Sequence, residues 1–283
     1  MEFLQKDIIL RLVPSKIKTR YIKSTYSKTS INGILRNQFI EHDIDVDITP
    51  AKSGFFEVNI TSELKNIALD STLKKQELLS KKLANVTSCL QLQLNNTEYN
   101  RINNYNLILS KWKMLQDELK QKYTGRIFEN YIYGLDKRFS EQESLLKNIN
   151  QLRGFGLFWM VPFGFYNKDK KYKSVREIDQ MVGNLPVEID ETIQLKSYND
   201  STISFAITGV LADNQKYEKK ISNYFKRLDL TASSQFNVNY SGECSYSLKT
   251  GLVNRCSLEI QSSYGAHYIK TQKYTLNKTE SVL

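Results

Sequence analysis

The sequence predicts an α+β protein that is mostly antiparallel β, with a curved sheet or half-barrel of about eleven strands and a central helical insert packed on it. Three observations favour this fold class. Apolar and polar residues alternate along many segments, turn residues separate these segments at hairpin spacing, and helical periodicity is concentrated in the middle of the chain. Hydrophobic residues make up 40% of the 283 residues, which is enough for a core without disulfides or metals.

The clearest alternation runs through residues 235–248. Apolar side chains occupy one face and polar side chains the other, as in an antiparallel strand with one buried face. A short turn ending at Gly251, which takes the position that requires a positive φ, joins this strand to the next. The resulting register places Cys244 opposite Cys256, and a shift by one residue would set an apolar face against a mostly polar one.

A second hairpin is predicted around Asn32 and Gly33, the preferred residue pair of a type I′ turn. Its strands cover about 17–30 and 35–48, and their register pairs opposite charges across the strands. Further strands are predicted within residues 8–12, 56–60, 90–94, 189–198, 202–211 and 267–276.

Apolar residues recur at helical spacing between the two β-rich halves. Helices are predicted at about 106–119 and 126–150, with shorter ones at about 72–84 and 214–227. We therefore expect an N-terminal antiparallel meander with a short helix in residues 1–103, and a helical insert with an aromatic crossover in 104–186. Residues 187–283 form a C-terminal antiparallel half, expected to share one sheet or barrel with the first half.

The chain is basic, with 40 Lys and Arg against 30 Asp and Glu and a net charge of +10. These residues are scattered, which favours a solvated surface over a nucleic-acid site. The most apolar window, 155–166, is too short to span a membrane, so no transmembrane segment is expected. The N-terminus lacks the apolar stretch of a signal peptide. We expect a soluble protein, cytoplasmic if Met1 is the native start, and in the cell envelope or secreted if a signal peptide has been removed.

No catalytic motif is recognisable. The two histidines are His42 and His267, and neither a nucleophile elbow nor a phosphate-binding glycine loop is present. His42 lies on an apolar strand face, which favours a structural role. Asp43, Asp45 and Asp47 alternate along one strand, about 6.6 Å apart, and so do not converge on a calcium ion. We predict that the protein is not an enzyme and uses no catalytic residue, cofactor or metal.

The three cysteines, Cys89, Cys244 and Cys256, lack the spacing of zinc ligands. The facing pair Cys244 and Cys256 allows either a cross-strand disulfide or two neighbouring buried thiols, and both interpretations stay open. A disulfide would indicate an oxidising compartment.

Residues 154–166 combine six aromatic residues with three glycines. Such a segment can line a ligand pocket, contact a membrane surface or partner, or form a buried crossover from helix to sheet. The buried crossover is the favoured interpretation. If the segment does line a pocket, the predicted ligand-binding residues are Phe155, Phe158, Trp159, Phe163 and Phe165.

We predict a non-enzymatic binding protein that holds an apolar or amphiphilic ligand between the curved sheet and its helical cover. The alternative is a structural or interaction protein, an assembly subunit or an inhibitor of another protein, with a solid core. A cavity under the cover would favour the first function, and an exposed apolar patch on a solid core the second. The oligomeric state and the identity of any ligand or protein partner are left open.

Overall fold

The structure is a computed structural model that describes residues 7–70, 74–183, 185–213, 215–230 and 235–279. The strands are β1 (Ile8–Leu10), β2 (Ile17–Ile31), β3 (Ile34–Pro50), β4 (Phe56–Leu69), β5 (Cys89–Asn95), β6 (Glu98–Ile102), β7 (Gly164–Tyr166), β8 (Lys171–Val182), β9 (Leu185–Tyr198), β10 (Thr202–Leu211), β11 (Phe236–Ser247), β12 (Val253–Tyr264) and β13 (Tyr268–Lys278). The helices are α1 (Lys74–Val86), α2 (Tyr105–Lys122), α3 (Arg126–Ser140), α4 (Gln142–Asn150) and α5 (Gln215–Lys226).

Eleven strands form one open antiparallel sheet in the order β6-β5-β4-β3-β2-β13-β12-β11-β10-β9-β8, and β1 pairs separately with β7. The strands β2 and β13 are neighbours in the middle of the sheet, so the N-terminal and C-terminal β halves are continuous. The predicted class, a mostly antiparallel curved sheet with a helical insert, is confirmed.

The predicted hairpin registers agree with the structure. Cys244 faces Cys256 across β11 and β12, and Arg20 faces Asp45 across β2 and β3, with 2.7 Å between Arg20 Nε and Asp45 Oδ1. Gly251 has a φ of 78°, as its turn requires. Alternation of polarity therefore determined which residues face one another.

One local expectation was wrong, and one strand was not predicted. The predicted helix 126–150 is divided into α3 and α4 at Glu141, whose φ of −117° and ψ of 116° are extended. The strand β8 had not been predicted and forms one edge of the sheet. Val175 in the middle of β8 is 64% exposed, because an edge strand can leave both of its faces in water. The division of the chain into 1–103, 104–186 and 187–283 stays a prediction.

Residues 156–161 of the aromatic crossover lie in the core. A 3-10 helix at Gly156–Trp159 contacts β12 and β13, and the rings of Phe158 and Tyr21 meet edge to face with 4.8 Å between their centres. The amide of Val161 contacts the hydroxyl oxygen of Tyr246, 3.2 Å away. The segment thus fills the space between the helices and the sheet.

A buried ion pair lies in the C-terminal half of the sheet. Glu191 is 1% exposed and accepts hydrogen bonds from Arg176 Nε at 2.8 Å and Arg176 Nη2 at 2.9 Å. Ser174 and Tyr240 also donate to this carboxylate. Tyr240 reaches this carboxylate across β10 at Gly209. A Cβ atom at position 209 would lie 2.9 Å from the Tyr240 ring. The glycine therefore makes room for the network.

The sulfur atoms of Cys244 and Cys256 are 2.14 Å apart in the buried face of the sheet, whereas Cys89 is exposed. The disulfide stays a prediction that mass spectrometry can check. Under non-reducing, denaturing conditions we expect a mass lower than that of the fully reduced protein by two hydrogen atoms. The Cys244→Ser variant serves as the control and should show no change on reduction. If the mass of the parent protein does not change on reduction, Cys244 and Cys256 are two neighbouring thiols instead.

Candidate functional site: a cavity under the helical cover

A cavity of about 380 Å³ lies between the N-terminal half of the sheet and the helices α1, α3 and α4. Its size is within the range of sites for small organic ligands. The apolar floor comes from side chains of the neighbouring strands β3, β4 and β5: Ile40, Ile44, Leu64, Ile67 and Leu90. The apolar cover comes from helix faces: Leu83, Leu135, Phe139, Leu145 and Ile149.

Lys23 is the polar residue most deeply placed in this wall. It occupies an inward position of β2 and is 5% exposed. Its ammonium group donates to the backbone carbonyls of Arg153 and Gly154, at the end of the helical insert. Burial, together with the neighbouring charge of Arg153, lowers the pKa of Lys23 to about 7. At neutral pH, Lys23 is therefore close to the midpoint of its titration.

His42 faces Lys23 across β2 and β3. Its Nδ1 atom lies 3.1 Å from Ser62 Oγ, and both residues line the cavity. Burial and the charge of Lys23 lower the pKa of His42 to about 4. The imidazole is thus neutral near pH 7 and can contribute a hydrogen bond but no charge. His267 is exposed in the turn between β12 and β13.

The remaining charged groups of the wall are Arg138 from α3, Arg153 from the loop after α4, and Asp179 from β8. Arg153 donates to the side-chain oxygen of Gln180. Burial, and then the charge of Glu177, raise the pKa of Asp179. With Lys23, the wall has three basic side chains against one acidic side chain, which leaves it positive.

The structure separates the five predicted ligand-binding residues. Phe155 lines the cavity. Phe158 and Trp159 are buried in the core, and Phe163 packs against Trp159 with 5.8 Å between the ring centres. Phe165, in β7, is 59% exposed. Their assignment as ligand-binding residues stays a prediction, and the structure places Phe155 alone of the five in the cavity wall.

The sequence interpretation missed the charged residues of the cavity. Lys23 carried a detectable signal, because it stands on the apolar face of its predicted strand, two residues after Tyr21. Arg138 and Arg153 carried no such signal, because no sequence pattern in α3 or in the loop after α4 predicted that these residues line a cavity.

No helix in the described ranges is long and apolar enough to cross a membrane. Among the same residues, no three side chains of His, Cys, Asp or Glu come together as metal ligands.

Comparison of the chain with protein-family models and with curated proteins finds no match. Among solved structures the chain is similar to DynF from the dynemicin biosynthesis pathway of Micromonospora chersina, with 6% sequence identity and a TM-score of 0.21. The alignment covers 98% of this chain and 87% of DynF. A similarity at this TM-score does not identify a ligand, so the candidate site rests on its own residues.

Proposed function

We propose that this protein is a non-enzymatic binding protein that holds an apolar or amphiphilic small molecule between its curved sheet and its helical cover. The observation that carries this proposal is the cavity of about 380 Å³ with apolar walls under α1, α3 and α4. Small-molecule sites are typically concave and mostly apolar, with a few polar groups that orient the ligand. The walls and polar groups of this cavity fit that description.

The polar groups favour binding over catalysis. Lys23 already donates to two backbone carbonyls, and His42 is neutral beside Ser62. A general acid or base needs a pKa near the working pH and a reacting group within hydrogen-bond reach. The pKa of His42, about 4, is well below neutral pH. The pKa of Lys23, about 7, meets the first condition, so the proposal against catalysis rests on the second condition, a reacting group within reach of Lys23. The absence of an enzymatic activity is part of the proposal.

The alternative function, protein–protein interaction, is favoured by exposed apolar residues on the outer surface of the helical insert. Ile127 in α3 is 89% exposed, and Met114 and Tyr133 are also exposed. Exposed apolar patches often mark protein interfaces. This function would predict association that depends on protein concentration, and it does not require the cavity.

Native mass spectrometry before and after organic extraction tests the proposed function. We expect a co-purifying small molecule that extraction removes, or binding of one added amphiphile per stripped monomer, because the apolar cavity gains free energy when a ligand excludes water from it. A clean monomer that binds no added amphiphile would contradict the proposal. Dimers that increase with protein concentration would then favour the alternative function.

A further inference from the structure

We propose that the cavity selects ligands that carry a carboxylate group, which Lys23 and Arg153 bind while the apolar walls contact the hydrocarbon part. This inference rests on the proposed binding function and deepens it by naming the chemical class of the ligand. A fatty-acid-like monocarboxylate is the simplest molecule of this class.

Lys23 lacks a counter-charge in the wall. Among the described residues, no carboxylate forms an ion pair with Lys23, Arg138 or Arg153, although ion pairs such as Arg176–Glu191 form elsewhere. Arg138 and Arg153 are exposed, whereas Lys23 is buried, and a buried charge is normally paired because it otherwise loses its hydration without compensation. A ligand carboxylate would supply the charge that the wall of the cavity lacks.

Lys23 has hydrogen-bonding capacity that its neighbours do not use. An ammonium group has three N–H donors. Two of them go to the carbonyl oxygens of Arg153 and Gly154. Both partners are neutral, and the ammonium group also lies 5.7 Å from the centre of the Phe155 ring. In its protonated form Lys23 therefore has one N–H donor, and a charge without a carboxylate partner, for a ligand. A hydrogen bond from an ammonium group to a carboxylate is stronger than one between neutral groups.

Neighbouring cations repel one another at the cavity wall. The charge of Arg153 lowers the pKa of both Lys23 and Lys270, so Arg153 repels each of these lysines. Lys270, on β13, donates to the backbone carbonyl of Gln180 and does not line the cavity. An anion beside Lys23 and Arg153 would reduce this repulsion, whereas a neutral polar group would not.

The wall also contains one acid, Asp179. Burial raises the pKa of Asp179, and the charge of Arg153 is among the influences that lower it. One carboxyl group does not balance three basic side chains, so the wall keeps an excess of positive charge. The site combines these charged groups and several neutral polar side chains with an apolar floor at Ile40, Ile44 and Leu64.

Isothermal titration calorimetry with decanoate and 1-decanol tests the inference, since the two probes share a chain length and differ in charge. We expect decanoate to bind at least about tenfold more tightly than 1-decanol. Lys23→Met should lower that ratio several-fold, because Arg153 alone is left to bind the carboxylate. Lys270→Met is the matched control, because it removes another buried lysine that donates to a backbone carbonyl outside the cavity. It should leave the ratio unchanged.

The outcomes separate the inference from the proposed function. Equal binding of the two probes to the parent protein would overturn carboxylate selection and leave the binding function standing. Binding of neither probe would overturn both. Circular dichroism verifies the fold of each variant. If Lys23→Met does not fold, Arg153→Gln is a second test, and it should lower the affinity for decanoate by about tenfold.

The pH dependence of decanoate binding gives a test that needs no substitution. The groups that face Lys23 are His42 from β3, Arg153 from the loop, Arg138 from α3 and Asp179 from β8. Because Lys23 has a pKa of about 7 without ligand, it is mostly charged at pH 6.5 and mostly neutral at pH 8.5. Binding at pH 8.5 therefore requires uptake of a proton.

We expect the affinity for decanoate to fall by roughly tenfold or more between pH 6.5 and 8.5, with no comparable change for 1-decanol. The Lys270→Met variant should keep this pH profile, although Lys270 has a pKa of about 8 and titrates in the same range. A flat profile for decanoate in the parent protein would contradict the role of Lys23.

Discussion

Replacement of Glu191 by alanine is expected to lower the free energy of unfolding by about 3–5 kcal/mol, because it leaves the guanidinium group of Arg176, which is 23% exposed, without its counter-charge. Arg176 loses both of its ion-pair hydrogen bonds, at 2.8 and 2.9 Å. The buried hydroxyl of Tyr240 loses its acceptor as well. Denaturant titration measures the effect, and the melting temperature should fall by roughly 6–15 °C.

The control is Glu243→Ala, which removes an ion pair with Lys196 on the exposed side of the same half of the sheet. Because both partners are well exposed, the expected loss is below about 1 kcal/mol. A double variant, Glu191→Leu with Arg176→Met, should recover much of the stability, since it removes both buried charges together. A loss at Glu191 no larger than that at Glu243 would show that the buried pair contributes little.

Replacement of Ala84 by tryptophan is expected to abolish binding of decanoate, lowering its affinity by at least about a hundredfold. Ala84 lies in the face of α1 that lines the cavity. The larger side chain would occupy the space that the ligand needs, and a ligand that cannot bury its hydrocarbon part loses about 0.8 kcal/mol for each methylene group left in water. Calorimetry with decanoate measures the loss.

Lys81→Trp is the matched control for this experiment. Lys81 lies in the same helix and forms an exposed ion pair with Glu77, 2.9 Å away. The same substitution there adds a tryptophan outside the cavity and removes an interaction of small free energy. Both variants should remain folded. Decanoate binding that survives Ala84→Trp would place the ligand outside this cavity.

The central registers of the sheet could be predicted because each strand has one buried and one exposed face. A shifted register between β11 and β12 would have buried Ser245 and exposed Cys244, so polarity alone selected the pairing. The edge strand β8 lacked that constraint. The break between α3 and α4 also follows from tertiary contacts, since Gln142 at the start of α4 accepts a hydrogen bond from the Ile102 amide in β6.

The candidate site was harder to predict than the fold. The predicted ligand-binding residues were chosen from 154–166 because this segment is rich in aromatic residues, but aromatic side chains fill a core as readily as they line a pocket. The charged residues of the cavity are far apart in sequence. Lys23 reaches the carbonyls of Arg153 and Gly154 across 130 and 131 residues. Only the packing of the helical insert onto the sheet brings these groups together.

The adjacency of β2 and β13 has a consequence for synthesis on the ribosome. The register pairs Ile31 with Tyr268, so the middle of the sheet closes only after nearly the whole intervening chain has been translated. Until then β2 and β12 each present an unpaired strand edge, and such edges can pair with other chains. We therefore expect nascent chains that lack β13 to depend on chaperones, and truncation before Tyr268 to cause aggregation during translation.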